Sequence, residues 1–160
     1  MSETNQTNEV NQENQASFDI LRIYTKNVSL ESPSTPEIFK MEVQPEIQIQ
    51  LSNEEREIEP GIHEVALKVT VTAKSEDKIM FIAEVEQAGL FQLVNFPAEQ
   101  LQAIRGGYCP NILYPYARQS LDNLISKGGF PPVILSPINF EAVYAERQAQ
   151  MRADAENMDA

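Results

Sequence analysis

Apolar and polar residues alternate most cleanly in three stretches of the first half of the chain. Ile47, Ile49 and Leu51 alternate with Glu46, Gln48 and Gln50. Val65, Leu67, Val69, Val71 and Ala73 alternate with Glu64, Lys68, Thr70, Thr72 and Lys74. After the polar turn Ser75-Glu76-Asp77-Lys78, one side carries Ile79, Phe81, Ala83 and Val85, and the other Met80, Ile82, Glu84 and Glu86. A period of two with one apolar side predicts strands buried on one face. The short turn predicts that the last two pair antiparallel. An earlier strand is predicted from Phe18 to Val28, rich in β-formers (Ile20, Ile23, Tyr24, Thr25) but poorly alternating, which predicts a bulge or local twist.

The period then lengthens. Leu113, Ala117, Leu121, Leu124 and Ile125 recur at helical spacing over 111–127, with Pro115 placed in the first turn and Gly128-Gly129 as the stop. A second helix is predicted from Asn139 as N-cap, carrying Phe140, Val143 and Tyr144. Strands first and helices last make an α+β domain. Ile112 and Tyr116 widen the apolar face of the first helix beyond what one sheet covers, so a second helix or another subunit is expected there. The connection 29–44 is too long for a hairpin. It carries Ile38, Phe39, Met41 and Val43, and an apolar loop beside a sheet can wall a groove.

Composition sets limits on this picture. Residues 1–16 are rich in Asn, Gln and Glu and are expected to form a disordered tail. Residues 17–145 form the domain, and 146–160 a polar tail or frayed helix. The net charge of −12 argues against nucleic acid and against anionic membrane surfaces. The N-terminus has neither the basic nor the apolar region of a secretory signal, and no apolar run approaches the ~20 residues that span a bilayer. With a single cysteine, Cys109, these features point to the cytosol.

No constellation for catalysis emerges. His63, the only histidine, is read as a surface strand residue beside Glu64, and one His with one Cys makes no usual zinc site. Gly106-Gly107 and Gly128-Gly129 lack the lysine and the strand–loop–helix setting of a phosphate loop. Glu54, Glu55, Glu57 and Glu59 are read as a solvated turn. The expectation is a binding protein without a cofactor.

Several segments carry a resemblance. They are Ile23-Tyr24-Thr25-Lys26-Asn27-Val28-Ser29-Leu30-Glu31-Ser32-Pro33, Glu84-Val85-Glu86-Gln87-Ala88-Gly89-Leu90-Phe91, and above all Tyr108-Cys109-Pro110-Asn111-Ile112-Leu113-Tyr114-Pro115-Tyr116-Ala117-Arg118. With Gly129-Phe130-Pro131-Pro132 and Leu135-Ser136-Pro137-Ile138-Asn139-Phe140, they resemble the SecB family in the family's order, over about 18–144. The resemblance implies a four-stranded antiparallel sheet with two helices packed on one face, assembled as a homotetramer, a dimer of dimers. It implies a holdase that uses no ATP, binds unfolded precursor polypeptides and delivers them to the SecA motor for export. A SecB-like chaperone for another client system, such as a toxin–antitoxin pair, would share the scaffold.

By position, the resemblance assigns client binding to Phe39, Val43, Ile47, Ile49, Leu51, Phe140 and Tyr144. It assigns SecA docking to Asn27, Glu31, Ile82 and Glu84. Val43 stands where the family usually has Trp, and Asn27 where it usually has Asp. The implied assembly gives Ile112 and Tyr116 a place at a subunit interface.

Overall fold

The structure, a computed structural model, describes residues 15–159. The N-terminal tail expected over 1–16 therefore falls, apart from its last two residues, outside the described residues. Four strands, β1 (Ser17–Glu31), β2 (Glu46–Glu59), β3 (Ile62–Ser75) and β4 (Lys78–Val94), form one antiparallel sheet in the order β1-β4-β3-β2. Helices α1 (Ala98–Ala103), α2 (Cys109–Lys127) and α3 (Phe140–Met158) follow, with a π turn (Ile104–Tyr108) joining α1 to α2.

Strand β1 is bulged twice, between Ile20 and Arg22 and between Thr25 and Asn27, which accounts for its broken alternation. It pairs with β4, not β2, so the connection after it crosses from one edge of the sheet to the other. A short 3-10 helix, Glu37–Lys40, interrupts that crossover, and its Ile38 is anchored in the core. Another irregularity lies where Ala73 faces Phe81 but Lys74 faces Ile79. Met80 is left unpaired and joins the core, while Ile79 is only half-buried. The expectation that Met80 shares the outer side is corrected by that one extra residue.

The core lies between the sheet and α2. Val65, Leu67, Val69, Val71 and Ala73 of β3 and Phe81, Ala83 and Val85 of β4 meet Leu113, Ala117, Leu121 and Ile125 of α2. The predicted face of that helix is therefore the packed one. Its start is different. The π turn feeds directly into α2, and Cys109 N–H donates to the Ile104 carbonyl five residues back. The widened turn lets Pro110, which has no N–H and would crowd the carbonyl four residues before it, lie inside a continuous helix. Pro115 consequently sits well inside α2, and not in a first turn as expected; its ring is exposed and meets no core neighbour.

Two further expectations are overturned. Glu54, Glu55, Glu57 and Glu59 are not a turn but the second half of β2, paired to Ala66, Val65, His63 and Ile62. His63 is no surface residue: only 2% of it is exposed, because the π turn covers it. Arg105 Nη1 lies 3.4 Å from His63 Nδ1, and Glu57 lies 3.9 Å from Nε2.

Helix α3 begins as predicted. Asn139 Oδ1 accepts from Ala142 N–H at 3.2 Å, and Asn111 Oδ1 accepts from Phe140 N–H at 2.8 Å. Beyond Phe140 no residue of α3 is buried, and the helix continues to Met158 through the stretch read as a tail. It is held by its first turns, against the π turn and α2. Replacing the cap, Asn139→Ala, is expected to cost about 1 kcal/mol. Amide hydrogen exchange should show faster exchange at Ala142 while α2 is unchanged.

Candidate functional site

In an antiparallel pair, partnered residues share a face. Ile47, Ile49 and Leu51 of β2 are partnered with the core residues Ala73, Val71 and Val69 of β3, so they lie on the helix side of the sheet. Helix α2 rests on β3 and β4 and does not reach this edge strand. The three residues are accordingly 37%, 44% and 39% exposed. An apolar row of about 13 Å, at ~3.3 Å per residue, is left without a cover.

The row is walled at both ends. At one end Leu51, Ser52, Asn53 and Glu55 face Phe140, Val143, Tyr144 and Arg147 of α3 across a cavity of about 480 Å³. At the other lies the crossover. Phe39, 53% exposed, stacks on Phe130 with ring centroids 5.3 Å apart, and Phe130 rests on Phe81, whose strand partner's partner is Ile47. Val43 packs half-buried against the core.

The structure thus brings Leu51, Phe140 and Tyr144 together in one cavity and aligns Ile47 and Ile49 with them. Phe140 is nearly buried, its ring 5.5 Å from that of Tyr114, so it is mainly floor. Val143, 42% exposed, lines the same wall and was missed. Its place three residues after Phe140 and one before Tyr144 is the helical spacing that could have found it.

Helix α3 reaches the groove because of Gly106 and Gly107. A Cβ on Gly106 would fall 2.6 Å from Tyr144 Cδ2, and one on Gly107 3.0 Å from Glu141 Cα. Neither glycine has a positive φ. What these positions require is space for α3. Tyr144 also lines a second cavity of about 710 Å³ between α1 and α3.

Among the described residues, no helix lies on the other face of the sheet. Strand register places Glu31 beside Ile82 and Thr72, Ser29 beside Glu84 and Thr70, and Asn27 beside Glu86 and Lys68. Asn27, Glu31, Ile82 and Glu84 therefore form one continuous patch, all exposed or half-exposed. Farther along this face Glu64, 9% exposed, accepts from Tyr24 Oη, from Lys26 Nζ at 3.1 Å and from Arg56 Nε at 3.3 Å. These donors, the Tyr24 hydroxyl foremost, hold its carboxyl below the usual carboxylate range, while burial and the Glu64 contact push Tyr24 up to about 12.

Ile112 is half-buried and packs against the edge of the core, while Tyr116 of the same helix is 48% exposed. Burial pushes the Cys109 thiol up to about 12, which leaves it un-ionised. Burial, followed by Arg105, lowers His63 below the ordinary imidazole value. Among the described residues there is no cluster of His, Cys, Asp or Glu that could hold a metal, and no helix long and apolar enough to cross a membrane.

The family model described as preprotein translocase subunit SecB matches residues 11–151. The chain is 50% identical over 146 residues to a protein-export protein SecB of Chromobacterium violaceum, covering 91% of this chain and 97% of that relative. With the protein of the same name from Nitrosococcus oceani it shares 47% over 154 residues, covering 95% and 93%. Among solved structures, the SecB-like chaperone of Mycobacterium tuberculosis in complex with an antitoxin peptide has a TM-score of 0.64 at 16% identity, covering 76% of this chain and 90% of that one. That likeness shows the fold. The fold, the matched model and these relatives together mean that the chain belongs to the SecB family, chaperones for preprotein export and not enzymes.

Proposed function

We propose that the chain captures unfolded precursor polypeptides in the groove along β2 and passes them to the SecA motor from the open face of the sheet, working in the cytoplasm as a dimer of dimers. The observation that carries this reading is the uncovered apolar row Ile47, Ile49 and Leu51. Covering its exposed area is worth ~1–2 kcal/mol per residue at ~25 cal/mol per Å². An extended chain lying in the groove would supply that cover.

The client surface is Phe39, Val43, Ile47, Ile49, Leu51, Phe140 and Tyr144, joined by Val143. No chemical step is needed. A holdase binds the unfolded and not the native state, so it draws slow-folding precursors from the folding equilibrium by mass action. Several grooves on one oligomer raise the effective concentration of sites for a long client. Tyr116, left exposed on α2, and the half-buried Ile112 are the surface for assembly.

The docking patch Asn27, Glu31, Ile82 and Glu84 lies on the opposite face from the groove, so a loaded chaperone can meet its motor. An apolar residue beside carboxylates suits a partner that presents basic groups around an apolar contact. Asn27, in place of the family's usual Asp, gives this chain one charge fewer for steering.

The purified protein should slow refolding of a denatured precursor without ATP. Ile49→Glu places a charge in the middle of the row and should weaken that capture about fivefold, with an unchanged thermal midpoint because position 49 is already exposed. Refolding at the same rate with and without the protein would overturn the holdase reading.

A further inference from the structure

The two carboxylates on the open face of β4 are not equivalent, and β3 is the reason. Glu84 and Glu86 both lie on the open face of β4, two residues apart. Glu86 has Lys68 as its register partner. Glu84 has Thr70 instead, and Thr70 Oγ1 donates to Glu84 Oε2 at 2.9 Å. The Thr70 hydroxyl fixes the Glu84 carboxylate as an acceptor without forming an ion pair. Glu84 also borders a depression of about 460 Å³ shared by Gln50, Ser52, Lys68 and Thr70, which leaves room beside the carboxylate for a partner's side chain.

We infer that Thr70 is a positioning residue for motor docking: its hydroxyl holds Glu84 in one orientation, so that a basic group of the partner meets a pre-set carboxylate. A free glutamate side chain loses rotamer freedom when it is captured by a partner; one already held by Thr70 loses less. A charge-assisted hydrogen bond is strong enough to select a rotamer, and on a half-exposed strand water can replace the missing donor when it is removed. This inference rests on the docking reading above.

The test measures affinity for SecA by titration calorimetry, using the intact chaperone. Thr70→Val keeps the shape and the β-propensity while removing the donor, and should weaken docking about threefold to fivefold. Thr70→Ser keeps the donor and should bind as the unaltered protein does. In a Glu84→Gln background, Thr70→Val should add less than it does alone, because the two residues act as one unit.

Full affinity in Thr70→Val, or equal losses with and without Glu84, would overturn the inference. So would a loss in Thr70→Ser as large as in Thr70→Val. Thermal midpoints within a degree across the set separate a docking effect from a folding one. Ile82→Asp serves as the control for the underlying reading. If it weakens binding severalfold while Thr70→Val does not, only the role of Thr70 fails. If Ile82→Asp binds normally, the open face is not the docking surface and both fall.

Discussion

Gly106→Val is expected to unseat α3 and, with it, the wall of the client groove. A Cβ at this position would lie 2.6 and 2.7 Å from ring carbons of Tyr144, well inside contact distance, and valine adds two methyl groups beyond it. Glycine is normally a weak point in a helix, so a side chain here would favour the helix itself by up to ~1 kcal/mol. Overpacking costs ~1–3 kcal/mol and wins in this case, because Gly107 keeps Glu141 Cα only 3.0 Å from where its own Cβ would be and leaves α3 no slack. The net expectation is a loss of about 2 kcal/mol in stability, read as a lower thermal midpoint, and early proteolysis within α3.

A loss of function should accompany the loss of stability. Val143 and Tyr144 leave the groove together, and at ~1 kcal/mol or more each the capture of an unfolded client should weaken at least tenfold. Adding Tyr144→Ala to Gly106→Val removes the clashing ring. It should restore the thermal midpoint without restoring client affinity. Unchanged capture in Gly106→Val would mean that α3 is no part of the groove.

The second large effect concerns Glu64. Its carboxylate gathers Tyr24 and Lys26 from one edge strand and Arg56 from the other, and so ties β1 and β2 across the open face. In Glu64→Leu all three donors lose their acceptor. Lys26 and Arg56, with side chains 36% and 69% exposed, can turn to water, so the cost rests mainly on Tyr24 and comes to about 2 kcal/mol. Glu64→Gln keeps an acceptor for Tyr24 and should lose about half as much.

The charge makes this contribution depend on pH in a definite direction. The folded carboxyl is held below its ordinary value of 4.5, so the unfolded chain takes up the proton first as pH falls. The stabilisation is complete above that ordinary range and is lost as pH drops through the folded value. His63, also lowered, works in the same direction at higher pH, because the unfolded imidazole protonates before the buried one. Thermal midpoints measured between pH 7 and 3 should fall less steeply below pH 5 in Glu64→Gln than in the unaltered protein.

What the sequence made legible follows from where each residue's partners lie. The cores of β3 and β4 announced themselves because α2 covers one face of both, so their apolar residues must alternate. The second half of β2 did not. As an edge strand it needs hydrogen bonds from β3 alone, and its helix side there carries Asn53, Glu55 and Glu57, polar residues whose partners are Arg105 of the π turn and His63. Local composition then reads as a turn. His63 was misplaced because its burial comes from Arg105, more than forty residues away.

Ile47, Ile49 and Leu51 were found as a strand face, but alternation cannot distinguish an apolar face under a helix from one left open. That difference depends on where α2 lies. The docking patch needed strand register, since only the pairing of β1 with β4 sets Glu31 beside Ile82. Gly106 and Gly107 were visible but unexplained, because the side chains they make room for belong to α3.

One property of α3 has a mechanical consequence. The helix is fastened near Tyr144 and runs on without burial to Met158, a length of roughly 21 Å at 1.5 Å per residue. It is a lever with its fulcrum at the groove. A tilt of about 10° caused by a chain wedged against Tyr144 would swing the far end by nearly 4 Å, from the same geometry. A probe attached at Met158 would therefore register the filling of the groove without touching the client.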